Sequence, residues 1–132
     1  MNKSVNIAID LMGGENAPDK TIEGIELFIK RNKDLDDYFF YLFGDTNIIT
    51  EKIKNKSLKN YELVDTKIVV SDDLPALSAL KKGKGSSMWK CIESQNSLNT
   101  DVSLSAGNTG VLLVMSKMIL KTLDDVDKPA LA

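Results

Sequence analysis

Short apolar runs of strand length alternate with longer segments of helical periodicity along this chain. The alternation is typical of βα units, because each crossover in a parallel sheet needs a connecting helix. We therefore predict a three-layer α/β/α fold with a mostly parallel sheet. The 132 residues, 42% of them hydrophobic, suit one small domain or part of a larger one and exclude global disorder.

The apolar runs predict four strands, at residues 5–9, 38–43, 67–70 and 102–104. Helices are predicted from Pro18, after Asp45 as a possible N-cap, over residues 76–82, over residues 88–98 with Ser86 or Ser87 as N-cap, and from Asn108 or Thr109. The last helix should bury one full face, formed by Val111, Leu112, Met115, Met118, Ile119 and Thr122. Residues 127–132 look like the approach to a further strand, so we expect the chain to be incomplete.

Composition and charge exclude several kinds of function. The 17 basic and 19 acidic residues leave a net charge of −2, which gives no electrostatic footprint for duplex nucleic acid. One cysteine and no histidine exclude a typical zinc site and every nucleophile assisted by histidine. The chain start is too polar for a signal peptide and no apolar stretch has membrane length, so we predict a cytoplasmic location.

Two turns between a strand and a helix are candidate binding segments. In the first, residues 10–18, Asp10 ends a strand, and Gly13 and Gly14 let the backbone approach a ligand, with Asn16 close by. The second, residues 105–110, places amides and small polar side chains at the positive end of a helix dipole. Its candidate phosphate contacts are Ser105, Gly107, Asn108, Thr109 and Gly110. Turn formation and helix capping alone are the alternative for both segments.

A third segment is a glycine-broken stretch whose cations Lys81, Lys82 and Lys84 are here called the basic loop. It is not a Walker loop, because Ser78 occupies the position five before Gly83 where that motif has glycine. A dinucleotide fingerprint also fails, since Met88 replaces its third glycine. A solvated helix end is the alternative for these lysines.

Five blocks of the sequence occur in the order found in the PlsX family, the phosphate acyltransferases of phospholipid synthesis, which the chain resembles along its whole length. The blocks are residues 10–18 (DLMGGENAP), 42–45 (LFGD), 86–88 (SSM), 105–110 (SAGNTG) and 128–130 (KPA). The resemblance makes residues 1–132 the N-terminal part of a single larger α/β acyltransferase domain. It implies a fold similar to phosphotransacetylases and isocitrate-dehydrogenase-like enzymes.

The resemblance implies transfer of a fatty acyl group from acyl carrier protein to inorganic phosphate, without a redox cofactor or metal. It also implies a homodimer that associates peripherally with the membrane, at its inner face. On this reading residues 105–110 contact phosphate, while Asp10, Gly13, Gly14 and Asn16 form the facing wall. The basic loop is a candidate contact for the acidic carrier protein. A nucleotide- or NAD-binding half of a related enzyme and a non-catalytic phosphate-binding fragment are the alternatives.

Overall fold

A computed structural model describes residues 3–131 and contains a four-stranded, all-parallel sheet with helices on both faces. The strands are β1 (Val5–Asp10), β2 (Tyr38–Gly44), β3 (Tyr61–Asp65) and β4 (Val102–Ser105), in the spatial order β3-β2-β1-β4. The helices are α1 (Asp19–Arg31), α2 (Thr46–Ile53), α3 (Ala76–Gly83), α4 (Ser87–Ser97) and α5 (Thr109–Leu120). The predicted α/β fold class is confirmed.

One face of the sheet packs against α1 and α2. The apolar stripe of α1 buries Ile22, Ile25 and Ile29 against the side chains that alternate toward this face from β1 and β2. Phe28 is half-buried, and its ring lies 5.3 Å from Tyr38 and 5.8 Å from Phe40, in edge-to-face geometry. This face carries the larger apolar core.

The opposite face is covered by α4, which contacts β1, β2 and β4. Cys91 of α4 packs against Ala8 and Phe43, whose side chains point to this face. The helices α3 and α5 pack against each other, and α5 also packs against α4. Within residues 3–131 no helix is long and apolar enough to cross a membrane.

The predicted start signals of two helices are confirmed. The Asp45 carboxylate accepts a hydrogen bond from the Asn47 amide at 3.0 Å and caps α2. The Ser86 hydroxyl accepts from the Trp89 amide at 3.2 Å and caps α4, so Ser86 rather than Ser87 is the N-cap. Both caps lie at the edge of the sheet where the strands end.

The prediction of a strand at residues 67–70 was wrong, because β3 is formed by Tyr61–Asp65. Those five residues pair with Phe40–Gly44 of β2, up to its end, and the Thr66 amide then donates a 2.8 Å hydrogen bond to the Gly44 carbonyl. The chain then leaves the sheet and makes only an isolated bridge between Ile68 and Ser86. Three of the five β3 residues are exposed and two of them are acidic, so β3 lacks the apolar run expected of a buried strand, whereas the β-branched run that follows resembled one.

The expected full burial of one α5 face was also wrong. Val111 and Met115 are buried, but Met118 is 56% exposed and Thr122 lies beyond the end of the helix. The physical reason is that α5 packs on α3 and α4 rather than on the sheet, so its partners cover only a narrow stripe. Residues 121–131 form no strand or helix, and Ala132 of the expected further strand lies outside the described residues.

Lys67 joins the ends of two neighbouring strands by ion pairs. Its Nζ lies 2.7 Å from Asp45 Oδ1 and 3.0 Å from Asp65 Oδ1. The Asp65 carboxylate also accepts from the backbone amide and the hydroxyl of Thr46, at 3.1 and 2.9 Å. The Thr46 bonds, together with Lys67, lower the pKa of Asp65 to about 2 from its usual 3.8. The ionised carboxylate is therefore favoured by folding.

We predict that Asp65→Asn reduces the acid sensitivity of the fold. A pKa depressed in the folded state contributes stability above the unfolded value of 3.8, and this contribution is lost as the pH falls from 3.8 toward 2. Urea unfolding of the whole protein between pH 5 and about 2 should show a shallower loss for Asp65→Asn than for wild type. Asp36→Asn, which alters another exposed aspartate paired with a lysine, is the control. Equal slopes in all three proteins would contradict the prediction.

Candidate functional site

The two candidate turns, distant in sequence, meet where β1 and β4 end. These strands are parallel neighbours, and Asp10 is the register partner of Ser105. The chain leaves β1 toward α1 on one face of the sheet and leaves β4 toward α5 on the other face. Such a reversal is the topological switch point, where open α/β sheets bind their ligands. The structure therefore brings the segments 10–18 and 105–110 together at the expected kind of place.

The Asp10 carboxylate is the buried centre of this site, with only 1% of the residue exposed. Its Oδ1 accepts hydrogen bonds from the backbone amides of Met12 at 3.0 Å and Gly13 at 3.1 Å. Its Oδ2 accepts from the Ser105 hydroxyl at 2.8 Å. Within residues 3–131 both oxygens are satisfied by these three donors, none of which is a cation.

Ser105 extends this network into the second turn. Its Oγ accepts from the Gly107 amide at 3.1 Å while it donates to Asp10. The Gly107 amide therefore already has a hydrogen-bond acceptor within the protein. Beyond it, the amides of Thr109 and Gly110 have no acceptor among residues 3–131. Two free donors at the start of α5 can face an anion.

Asn108 performs the capping role that was the alternative to ligand contact. Its Oδ1 accepts from the Val111 amide at 3.0 Å, and its Nδ2 donates to the Asp72 carbonyl at 3.2 Å. The segment before α3 is thereby tied to the start of α5. No sequence pattern pointed to Asp72, because its contribution is a backbone carbonyl.

Close packing of glycines lets the two turns touch. A Cβ on Gly13 would collide with Asp10 Oδ2 and would lie 3.0 Å from Ser105 Oγ and 3.1 Å from the Gly107 amide nitrogen. Gly14 has a left-handed φ of +99°, and a Cβ there would lie 2.7 Å from the Ala106 carbonyl oxygen. Gly110 differs from both, because only Asn108 Oδ1, at 3.4 Å, lies near its Cβ position. The space beside Gly110 is open.

Asn16 is not brought to the Asp10–Ser105 pair. It is exposed, has a left-handed φ of 58°, and its carbonyl accepts from the Lys20 amide at 3.1 Å. No hydrogen bond from its side chain is present among the described residues. Its observed role is the turn that leads into α1.

The basic loop lies at the end of α3 and at the turn into α4. All three lysines are exposed, and none forms an ion pair within the described part of the chain. The turn is linked to the site through Met88, whose Cε would lie 2.6 Å from a Cβ on Gly107. Nothing in the sequence indicated that Met88 packs against the turn at Gly107.

Cys91 is buried behind the site, and its thiol is unreactive. Burial, with a further contribution from the Asp10 charge, raises the pKa of its thiol to about 12. Its Sγ donates a long, 3.7 Å hydrogen bond to the Leu104 carbonyl. A thiol held neutral in this way is not a nucleophile at ordinary pH.

An apolar groove of about 510 Å³ opens beside the site, on the α1 face of the sheet. Its walls include Ile7, Ile9, Ile25, Phe28 and Leu104, and its end is formed by Asp10, Gly13, Ser105 and Ala106. Gly24 of α1 also lines it, with no atom within 4 Å of its Cβ position. No cluster of three or more metal-ligating side chains occurs within residues 3–131.

Comparisons with known proteins agree on one family. The family described as "Fatty acid synthesis protein" matches residues 5–132. A protein named phosphate acyltransferase from Pelagibacter ubique is 41% identical over 132 residues, covering 100% of this chain and 39% of the relative. Proteins of the same name from Xanthobacter autotrophicus and Rhodospirillum rubrum are 36% and 37% identical over all of this chain and 37% and 38% of their own lengths. The chain spans less than two fifths of these curated relatives.

We predict that Gly13→Ala lowers the free energy of unfolding by about 1–3 kcal/mol, the usual range for overpacking. The added methyl group must displace Asp10 or separate the two turns. Gly24→Ala is the matched control, because open space surrounds it and alanine favours the helix by up to about 1 kcal/mol. Urea unfolding of both variants gives the measurement, and a neutral Gly13→Ala would mean that the turns are not in close contact.

Proposed function

The chain belongs to the fatty acid synthesis protein family, the PlsX family that its motifs indicate, and we propose that the whole protein transfers a fatty acyl group from acyl carrier protein to inorganic phosphate. The observation that carries the proposal is the meeting of the Asp10 and Ser105 turns at the switch point, beside the free amides of Thr109 and Gly110. This chain accounts for 39% of the length of its Pelagibacter relative, so the proposed activity is that of the whole protein and not of this stretch alone.

The proposed reaction needs no nucleophile from the protein. A phosphate oxygen attacks the thioester carbonyl, the carbon–sulfur bond breaks, and the thiol leaves with the proton that the phosphate hydroxyl gives up. The products are acyl phosphate and free carrier protein. Holding and aligning the phosphate is then the main task of the site. Free amides at the start of α5 suit that task, and the neutral, buried Cys91 thiol fits the absence of an acyl-enzyme step.

The apolar groove supports an acyl substrate in preference to the dinucleotide alternative. It shares Asp10, Gly13 and Ser105 with the site, so a hydrocarbon chain lying in it would bring its thioester to the phosphate. A dinucleotide would need a glycine-rich fingerprint, which the sequence lacks. The homodimer and the peripheral membrane association implied by the resemblance stay predictions for the whole protein.

The basic loop is proposed to meet the acidic carrier protein. Its three cations are exposed and free of ion pairs within the described residues, and they precede the helix whose start packs against the site. We predict that reversing all three charges to glutamate raises the KM for acylated carrier protein by about 10-fold or more at low salt, with a smaller effect at high salt.

The control for this prediction reverses Lys30, Arg31 and Lys33. These cations are also exposed and unpaired within the described residues, but they lie at and just beyond the end of α1. The control changes net charge equally and should leave the carrier-protein KM unchanged. An equal effect of both triple variants would show that only net charge matters.

We predict that Gly110→Val raises the KM for phosphate by about 10-fold or more, because the branched side chain would fill the open space through which phosphate approaches the Gly110 amide. Losing that amide bond to a charged group costs about 1.5–3 kcal/mol. Stability should be retained, since the space beside Gly110 is open and valine is no worse than glycine in a helix. Phosphate-dependent turnover and the thermal midpoint are measured on the same preparation of the whole protein. Gly110→Ala is the smaller control. Unchanged phosphate dependence in the valine variant would leave residues 105–110 with capping alone.

A further inference from the structure

The hydrogen bonds of Ser105 determine what this hydroxyl can offer to a ligand. A hydroxyl has one hydrogen to donate and two lone pairs. The hydrogen is directed to Asp10 Oδ2 at 2.8 Å, where the carboxylate oxygen accepts it. The Gly107 amide occupies one lone pair at 3.1 Å. One lone pair of the Ser105 hydroxyl is left for a ligand, so this hydroxyl can only accept a further hydrogen bond.

The role left to Ser105 is therefore the reverse of the one expected for a serine at a phosphate site. Serine beside a phosphate site is ordinarily taken as a donor to phosphate oxygens, and the sequence allowed that interpretation. In the structure, a bare anionic oxygen facing Ser105 would set lone pair against lone pair, with the buried Asp10 carboxylate directly behind. An oxygen that carries a hydrogen would instead donate to Ser105.

We propose that Ser105, held as an acceptor by Asp10, selects an oxyanion that carries a hydroxyl group, so that the site takes phosphate and rejects sulfate. The inference rests on the proposed function, whose acceptor substrate is inorganic phosphate. At neutral pH phosphate retains at least one hydroxyl, whereas sulfate is fully ionised. Asp10 is then a positioning residue that acts through Ser105, and Ser105 is the specificity-determining contact.

The same contact suits the chemistry of transfer. The attacking phosphate starts with a hydroxyl group and ends as an acyl phosphate without it, so its proton must leave the phosphate during the reaction. A hydrogen bond from that hydroxyl to Ser105 orients the proton away from the amides of Thr109 and Gly110, which face the bare oxygens. One side of the site thus donates to phosphate and the other side accepts from it.

The test is Asp10→Asn in the whole protein, with binding of phosphate, arsenate and sulfate measured by calorimetry. An asparagine Oδ1 can still accept from the Met12 and Gly13 amides, while its Nδ2 donates to Ser105. Ser105 Oγ then receives two hydrogen bonds and must donate outward. We expect wild type to prefer phosphate and arsenate over sulfate, and we expect the preference to fall by about 10-fold or more in the variant.

Two further variants separate this role from a merely structural one. Asp45→Asn makes the same change at the neighbouring strand end and should keep the wild-type preference. Ser105→Ala removes the lone pair itself and should weaken the preference even if Asp10→Asn does not fold. A wild-type preference retained in folded Ser105→Ala, or wild-type protein that binds phosphate and sulfate equally or binds neither, would overturn the inference. Selective phosphate binding without acyl phosphate formation would contradict the proposed function alone.

Discussion

A single hydrogen bond, from the Ser105 hydroxyl to the Asp10 carboxylate, joins two turns that lie 95 residues apart and on which the candidate site depends. Burying a carboxylate is costly unless its oxygens are satisfied, and here three donors supply that compensation without a cation. The arrangement tolerates no side chain on Gly13, which fills the space between the two turns. Strand pairing, turn packing and the direction of the Ser105 hydrogen bond are therefore parts of one constraint.

The two halves of the sheet differ in how acidic side chains are held at their strand ends. At the ends of β2 and β3, Lys67 and its two aspartates form exposed ion pairs that fasten the strand ends without burying charge. At the ends of β1 and β4, the Asp10 carboxylate is buried and held by hydrogen bonds, and the amides of Thr109 and Gly110 have no acceptor among residues 3–131. The parallel order places all four strand ends at one edge, and the switch point lies between β1 and β4, where open α/β sheets bind their ligands.

This division fits a reaction in which the substrate brings its own nucleophile. The Cys91 thiol behind the site is held neutral, and the proposed reaction relies on positioning of phosphate rather than on a protein nucleophile. The groove beside the site is apolar, while the turns above it are polar, which matches the two ends of an acyl phosphate. The chain spans less than two fifths of the relatives named phosphate acyltransferase, so the proposed activity is that of the whole protein.

The sequence by itself determined the fold class, three of the four strands, the helix starts at Asp45 and Ser86, and the turns that follow β1 and β4. These features are local, because each depends on periodicity or on a cap within a few residues. It misplaced β3, whose partner strand decides which short run pairs, and it overstated the burial of α5, whose neighbours decide how much of the helix is covered. Only the tertiary structure decided that Asn108 caps, that Gly13 is enclosed while Gly110 is open, and that Ser105 accepts, since hydrogen-bond direction depends on a carboxylate that arrives from the other end of the chain.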